Sequence, residues 1–219
     1  SIYTRINIQD STRKDQFALG GAINHDMRSD TSLTYIRLFK GILLDYQRWD
    51  VNPQNRIVLG PNGFYIRDFL MSKGNESIAA NSDAADFNSP LTLAIKNFRL
   101  SNITSMISRD TLVADGSLNV NANLDLRDSF PKINADASIE NLVAFNEPIG
   151  KLVLKAKNET KNIYDASLGL TGNENDINLK GNYYLEPVDS NEFKFDLDVN
   201  ALSLKSIQGL TFGSLKNSS

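Results

Sequence analysis

The side chains best suited to proton transfer in this sequence are the single histidine, His25, and the aspartate that follows it, Asp26. An imidazole beside a carboxylate is half of an acid–base pair, because histidine titrates near neutral pH. The pair lies in a polar stretch between two predicted strands, so we expect His25 to be a solvated loop residue. No nucleophile elbow, phosphate-binding loop, dinucleotide fingerprint or HExxH segment is present. We therefore predict that the chain is not an enzyme and has no catalytic residue.

Closely spaced aspartates are the other candidates for chemistry, and they form three pairs: Asp83 with Asp86, Asp125 with Asp128, and Asp196 with Asp198. A calcium loop needs a run of oxygen ligands around a glycine turn, which these segments lack. The last pair alternates with Leu197 and Val199, so both of its carboxylates are expected to face water. Cysteine is absent, which excludes disulfides, zinc ribbons and thiol catalysis. We predict no metal site and no cofactor.

The charge distribution argues against a nucleic-acid partner. The 23 lysines and arginines are scattered among 26 carboxylates, which gives a net charge of -3, whereas nucleic-acid binding needs basic residues clustered on one face. The sequence has neither a signal peptide nor a run of roughly 18 apolar residues that could span a membrane. Because it begins with Ser1 and ends in what resembles an interrupted strand, Gly213 to Asn217, we expect an internal fragment of a longer protein.

Alternation of apolar and polar residues with a period of two dominates the chain and predicts β-strands. It is clearest from Leu118 to Leu126, from Ile133 to Ile139 and from Phe193 to Val199. Clusters of Asn, Asp, Gly and Pro between these segments predict turns. The stretch from Thr31 to Tyr46 is predicted to be one bent strand or a strand pair broken at Lys40-Gly41.

A six-residue pattern, with apolar residues at its first, fourth and sixth positions, recurs four times: it begins at Ile66, Ile95, Ile139 and Val199. We interpret each copy as a strand end with a slight kink. Chains that reuse one β unit usually build an extended surface, not a single catalytic pocket. We predict one repetitive β unit over residues 1–219, with a weak subdivision near residues 110–115.

These patterns predict an all-β fold with a mostly antiparallel sheet, because antiparallel sheets tolerate one wet face and one dry face. A β-sandwich would show the same alternation, so that alternative stays open. The dry face is aliphatic and is either a closed core or a surface for acyl chains. Each methylene group moved from water onto such a surface gains about 0.8 kcal/mol.

Several short motifs, taken in their order along the chain, resemble the TamB family. They are Trp49 to Pro53, Arg56 to Leu59, Gly63 to Phe69, Ser72 to Ile78, and the strand starts with Gly-x-Leu at Gly116, Gly150 and Gly213. The resemblance covers roughly Thr31 to the C-terminus. It implies an internal fragment of a Bacteroidetes-type member of this family, which belongs to the AsmA-like superfamily and is the inner-membrane component of the translocation and assembly module.

The resemblance implies a curled sheet that forms an elongated groove, or β-taco, with a hydrophobic interior. It also implies a periplasmic location, with the parent protein anchored in the inner membrane. The family is associated with phospholipid transport between membranes, with outer-membrane protein assembly and with protein secretion. The implied partners are phospholipid acyl chains or nascent outer-membrane β-strands and, through the parent protein, an Omp85-type outer-membrane barrel.

We predict that aliphatic residues on the alternating segments line this groove: Leu118, Val120, Leu124, Leu126, Ile133, Ile139, Leu152, Leu154, Leu168, Leu170, Ile177 and Leu179. The alternative function is that of an extracellular or surface β-sandwich module that binds a glycan or a protein partner. Such a site would expose tryptophan or tyrosine rings, and the only tryptophan is Trp49.

Overall fold

The computed structural model of the protein describes residues 1–28, 31–105, 107, 113–127, 130–160, 162–188 and 191–211. Within those residues the chain is all-β, with sixteen strands in one antiparallel sheet that is not closed, and two short helices. The predicted fold class is confirmed. The elements are β1 (Ile2–Gln9), β2 (Asp15–Arg28), β3 (Thr31–Leu38), β4 (Ile42–Leu44), β5 (Gln47–Val51), β6 (Arg56–Gly60), β7 (Gly63–Arg67), β8 (Phe69–Lys73), β9 (Glu76–Ser82), β10 (Leu91–Arg99), α1 (Ser101–Thr104), β11 (Ala114–Asp125), β12 (Lys132–Ala144), β13 (Glu147–Thr160), β14 (Ile163–Gly172), β15 (Asn175–Val188), β16 (Asn191–Ala201) and α2 (Leu204–Leu210).

The chain divides into two compact units. Unit 1 comprises Ser1–Lys96 and Ala122–Pro131, and unit 2 comprises Asn97–Asn121 and Lys132–Ser219. The first division falls within β10 and the next within β11. The predicted single repetitive unit, with its weak subdivision near residues 110–115, stays a prediction. Among the described residues, neither helix is long and apolar enough to cross a membrane.

Strand β2 organises the first part of unit 1, because it pairs with three other strands. Its N-terminal part pairs with β1, Ala18 pairs with Leu43 of β4, and its C-terminal part pairs with β3. Between β3 and β4 the chain turns at Gly41, whose φ of 82° is a left-handed conformation that glycine adopts without strain. This confirms the second of the two predictions for the stretch from Thr31 to Tyr46, a pair of strands broken at Lys40-Gly41.

The most deeply buried apolar side chains of unit 1 are Trp49 and Val51 on β5 and Val58 on β6. Asn55 is also buried, and its side-chain carboxamide pairs with the backbone of Leu38 on β3 in the way that a residue of a neighbouring strand would. Its Oδ1 accepts a hydrogen bond from the Leu38 backbone N at 2.8 Å, and its Nδ2 donates to the Leu38 backbone O at 2.8 Å. Because both polar ends of the side chain are paired, the burial of Asn55 does not leave an unsatisfied group.

The recurring six-residue pattern corresponds to a local backbone feature. Its third residue has a positive φ in three of the four copies: 55° at Asp68, 50° at Asn97 and 53° at Asn141. Aspartate and asparagine adopt this conformation more readily than most residues with a Cβ atom. In the copy on β12 the register against β13 skips from Ile139 to Leu142, which is a β-bulge. The predicted kink is therefore present in these copies.

The prediction that His25 lies in a loop is wrong, because His25 is part of β2 and pairs with Thr34 of β3. Its side chain is exposed, with Nδ1 3.0 Å from the Thr34 hydroxyl and Nε2 3.2 Å from the Ser32 hydroxyl. A hairpin can continue through polar residues where its ladder is satisfied and its side chains reach water. Polarity at this point therefore marked an exposed part of a hairpin and not the end of a strand.

Candidate functional site

Apolar side chains form rows across strands β12 to β16 of unit 2, because directly paired residues of neighbouring strands share a face of the sheet. The first row is Ile139, Leu152, Leu170, Ile177 and Val199. The second row is Ala137, Leu154, Leu168, Leu179 and Leu197. The third row is Ala135, Ala156, Ala166, Gly181 and Phe195. We call these three rows the apolar face.

The opposite side of the same five strands is polar. The row between the second and third apolar rows is Asp136, Lys155, Ser167, Lys180 and Asp196. Acidic and basic residues lie next to each other in this row, and Lys155 Nζ is 3.8 Å from Asp136 Oδ1. A cavity of about 600 Å³ is lined by residues of this row. The sheet in unit 2 therefore separates a charged surface from an aliphatic one, as the alternation predicted.

Among the large side chains of the apolar face, those on β16 are the most exposed. Leu170 is 5% exposed, whereas Leu154 is 40% exposed and Leu197 is 62% exposed. Phe195, in the third row, is 60% exposed. Contiguous exposed apolar residues of this size are typical of surfaces that bind a protein, a membrane or a ligand. Leu197 and Phe195, the β16 members of the second and third rows, are therefore accessible to a partner.

Helix α2 contacts β13 and β12 and packs at one end of unit 2. Asn175, which is buried, connects the elements there: its Nδ2 donates to the Ile149 backbone O at 2.8 Å and to the Ser206 hydroxyl at 2.6 Å. Its Oδ1 accepts from the backbone N of Ser203 at 2.9 Å. Ile149 and Ser206 are fully buried. This end of unit 2 is therefore covered by the protein itself.

We expect Asn175→Ala to lower the free energy of unfolding by about 1–3 kcal/mol, because the substitution leaves buried polar groups without their partner. The measurement is urea denaturation, with amide hydrogen exchange reporting earlier opening of α2. Asn178→Ala, on the same strand but exposed, is the matched control and should change stability by less than about 0.5 kcal/mol. Equal losses for the two variants would contradict this role of Asn175.

The structure brings most of the predicted groove residues onto the apolar face. Paired positions place seven of them there: Ile139, Leu152, Leu154, Leu168, Leu170, Ile177 and Leu179. Ile133 follows by alternation with Ala135 on β12. Leu118 and Val120 lie on the part of β11 in unit 2 and are half-buried, whereas Leu124 and Leu126 belong to unit 1. That these twelve residues line one groove stays a prediction.

The most exposed part of the apolar surface lies on residues that the prediction did not include. They are Tyr183 on β15 and Phe193, Phe195, Leu197 and Val199 on β16. Phe193 pairs with Tyr183, and its ring centroid is 5.3 Å from that of Phe195. The period-two alternation through β16 was the signal that could have identified them.

The described aspartates of the three pairs are either exposed or paired with an arginine. Asp83, Asp86, Asp196 and Asp198 are exposed. Asp125 pairs with Arg127, with Oδ2 2.7 Å from Nη2, and Asp128 lies outside the described residues. Over the part of the chain that the structure covers, no group of three or more His, Cys, Asp or Glu side chains could hold a metal ion.

Comparison of the chain with family models, with curated proteins and with solved structures found no match.

Proposed function

We propose that this chain is a non-catalytic, periplasmic segment of a TamB-like envelope protein, and that its apolar face binds the acyl chains of phospholipids moving between membranes. The observation that carries the proposal is the exposure of aliphatic and aromatic residues along β16 and the second row, on a sheet whose other side is charged. Burial of acyl methylene groups on this face would supply about 0.8 kcal/mol for each group.

The dimensions of the apolar face support an extended, apolar ligand. Neighbouring strands are about 4.8 Å apart, so five strands span about 19 Å across the rows. The second row contains four leucines and one alanine without a polar interruption, and the third row contains small residues on four of its five strands. An acyl chain lying across the strands would therefore contact the small residues of the third row and pack against the leucine side chains of the second row.

The position of β16 supports a second cargo, nascent β-strands of outer-membrane proteins. Among the described strands, β16 ends the strand order and pairs only with β15. Such an edge offers backbone donors and acceptors to an incoming strand, and its alternate apolar side chains give that strand a surface to pack on. This cargo would use the edge, whereas acyl chains would use the face.

The alternative function, a surface module for glycans or proteins, depends on exposed aromatic rings. Trp49 is buried and is not available for such a role. Tyr183 is exposed, and its ring centroid lies 6.4 Å from that of Tyr164. A site centred on these tyrosines would lose its glycan or protein ligand when Tyr183 is replaced. Its binding would not change when a charge is placed in the second row of the apolar face.

The acyl-chain proposal predicts that Leu154→Arg lowers crosslinking to phospholipids by about tenfold or more, since loss of one buried leucine contact is worth about 1.5–3 kcal/mol. The measurement uses vesicles whose phospholipids carry a photoreactive group on the acyl chain. Val153→Arg is the matched control: it introduces the same charge one residue earlier, where the paired residues are Ser138 and Gly169 on the opposite face. This control should crosslink as the wild type does.

Thermal unfolding of both variants shows whether each is folded. This check matters because Leu154 is only 40% exposed, so an arginine there could disturb the packing of the sheet. Leu197→Arg, at a position 62% exposed, repeats the test with less effect on packing. Unchanged crosslinking of both folded leucine variants, or an equal loss for Val153→Arg, would refute acyl-chain binding on this face.

A further inference from the structure

Three arginines of unit 1 lie on neighbouring strands of the sheet. Arg56 on β6 is directly paired with Arg67 on β7. On the other side of β6, Ile57 pairs with Ile36 of β3, and the next residues on each strand are Arg56 and Arg37. Like charges at directly paired positions destabilise a sheet. The three arginines therefore form a cluster of like charges on neighbouring strands.

The arginine cluster lines a cavity of about 940 Å³ in unit 1. Two carboxylates, Asp26 and Asp68, also line it, so the ionised side chains around the cavity carry one net positive charge, three minus two. The protein as a whole has a net charge of -3. This cavity is therefore locally positive in a protein that is negative overall, which favours a small anion over a cation.

Three arginines outside the cluster form ion pairs with aspartates. Arg5 pairs with Asp15, Arg99 with Asp115 and Arg127 with Asp125. Within the part of the chain that the structure describes, no side chain of the arginine cluster forms an ion pair with a carboxylate. The guanidinium groups of the cluster are therefore available to a ligand.

We propose that the arginine cluster, Arg37, Arg56 and Arg67, binds a phosphoryl group, either a phosphate monoester or a phosphate diester. Guanidinium groups are weakly hydrated and present planar pairs of N–H donors that match two oxygens of a phosphate. Each arginine has five such donors, and the oxygens of a tetrahedral phosphate point in different directions and can accept from guanidinium groups on different sides, whereas the two oxygens of a carboxylate lie in one plane. Three adjacent arginines therefore suit a phosphate better than a carboxylate.

This site is separate from the apolar face, since all of its residues belong to unit 1, and the inference does not depend on the proposed function. The phosphoryl group has two sources with the same chemistry: the headgroup of a phospholipid, or a soluble phosphate ester. Arg37 and Arg56 are exposed, so either ligand can reach the cluster from solvent.

The test measures binding of inorganic phosphate to the full chain by titration calorimetry at low ionic strength. Arg56→Gln combined with Arg67→Gln should weaken binding by at least about tenfold, because the double substitution removes charge-assisted hydrogen bonds to the phosphate. The matched control combines Arg5→Gln with Arg127→Gln, which removes the same charge from unit 1 at arginines that already have carboxylate partners. The control should bind phosphate as the wild type does.

Vesicles identify the source of the phosphoryl group. If phosphatidylcholine vesicles bind only when phosphatidic acid is included, and inorganic phosphate competes, the ligand is a lipid headgroup. If inorganic phosphate binds and neither type of vesicle does, the ligand is a soluble ester. Absence of phosphate binding to the wild type, an unchanged affinity of the cluster variant, or an equal loss in the control would overturn the proposal. The cluster variant should remain folded, because it removes two charges that repel each other.

Discussion

Trp49→Ala should lower the free energy of unfolding by about 3–5 kcal/mol, the range observed when a large buried aromatic residue is truncated. Trp49 has no exposed surface, and Val51 and Val58 of the same unit are also fully or almost fully buried. The Lys73 ammonium group lies 5.4 Å from the centroid of the indole ring and adds a cation–π contact that alanine cannot make. The measurement is denaturation in urea followed by far-ultraviolet circular dichroism.

Tyr3→Ala is the control for removal of an aromatic ring from unit 1. Tyr3 is 72% exposed, and a substitution at such a surface position usually changes stability by less than about 0.5 kcal/mol. If the two variants lost similar amounts, Trp49 would not be part of the buried core of unit 1. The position would then need to be reconsidered as part of an open aromatic surface, which the alternative function requires.

Gly150→Ala should lower the free energy of unfolding by about 2–5 kcal/mol, which combines backbone strain with steric overlap. Gly150 has a φ of 124°, a conformation that residues with a Cβ atom rarely adopt. A Cβ atom at this position would also overlap the backbone oxygen of Thr171 on β14. Since β13 and β14 are joined by ladder hydrogen bonds at the neighbouring pair, they cannot separate without losing these bonds.

Gly74→Ala separates these two causes. Gly74 also has a positive φ, 59°, but a Cβ atom there would have no neighbour within 4 Å. This control should therefore lose only about 1 kcal/mol, from the left-handed backbone alone. Urea denaturation of both variants gives the comparison, and equal losses would show that contact with Thr171 does not constrain position 150.

Local features of the fold could be predicted from the sequence because their causes are local. Alternation identified the strands of unit 2, and the glycine at position 41 marked the break between β3 and β4. The pairing of β2 with β4, and of β3 with β6, could not be predicted. Alternation fixes which face a residue occupies, but it does not determine which strand lies next to it.

The same limit explains what could be predicted of the candidate sites. Leu154 and Leu168 were placed on a shared apolar face by their own strands, and their pairing confirms a common side of the sheet. The arginine cluster could not be predicted, because Arg37 and Arg56 are far apart in sequence and become neighbours only through the order of strands. His25 was misplaced because a polar segment was interpreted as a loop, although a ladder satisfies its backbone.

The bulge at Asn141 gives strand β12 one residue more than its ladder with β13 requires between Ile139 and Leu142. Ile139 and Leu142 pair with Leu152 and Gly150, two positions that point to the same side of β13. Ordinary alternation would send Ile139 and Leu142 in opposite directions, and the inserted residue restores their common direction. Deleting the extra residue would leave Ile139 and Leu142 two positions apart, so ordinary alternation would keep both side chains on the same side of the sheet without a residue of positive φ.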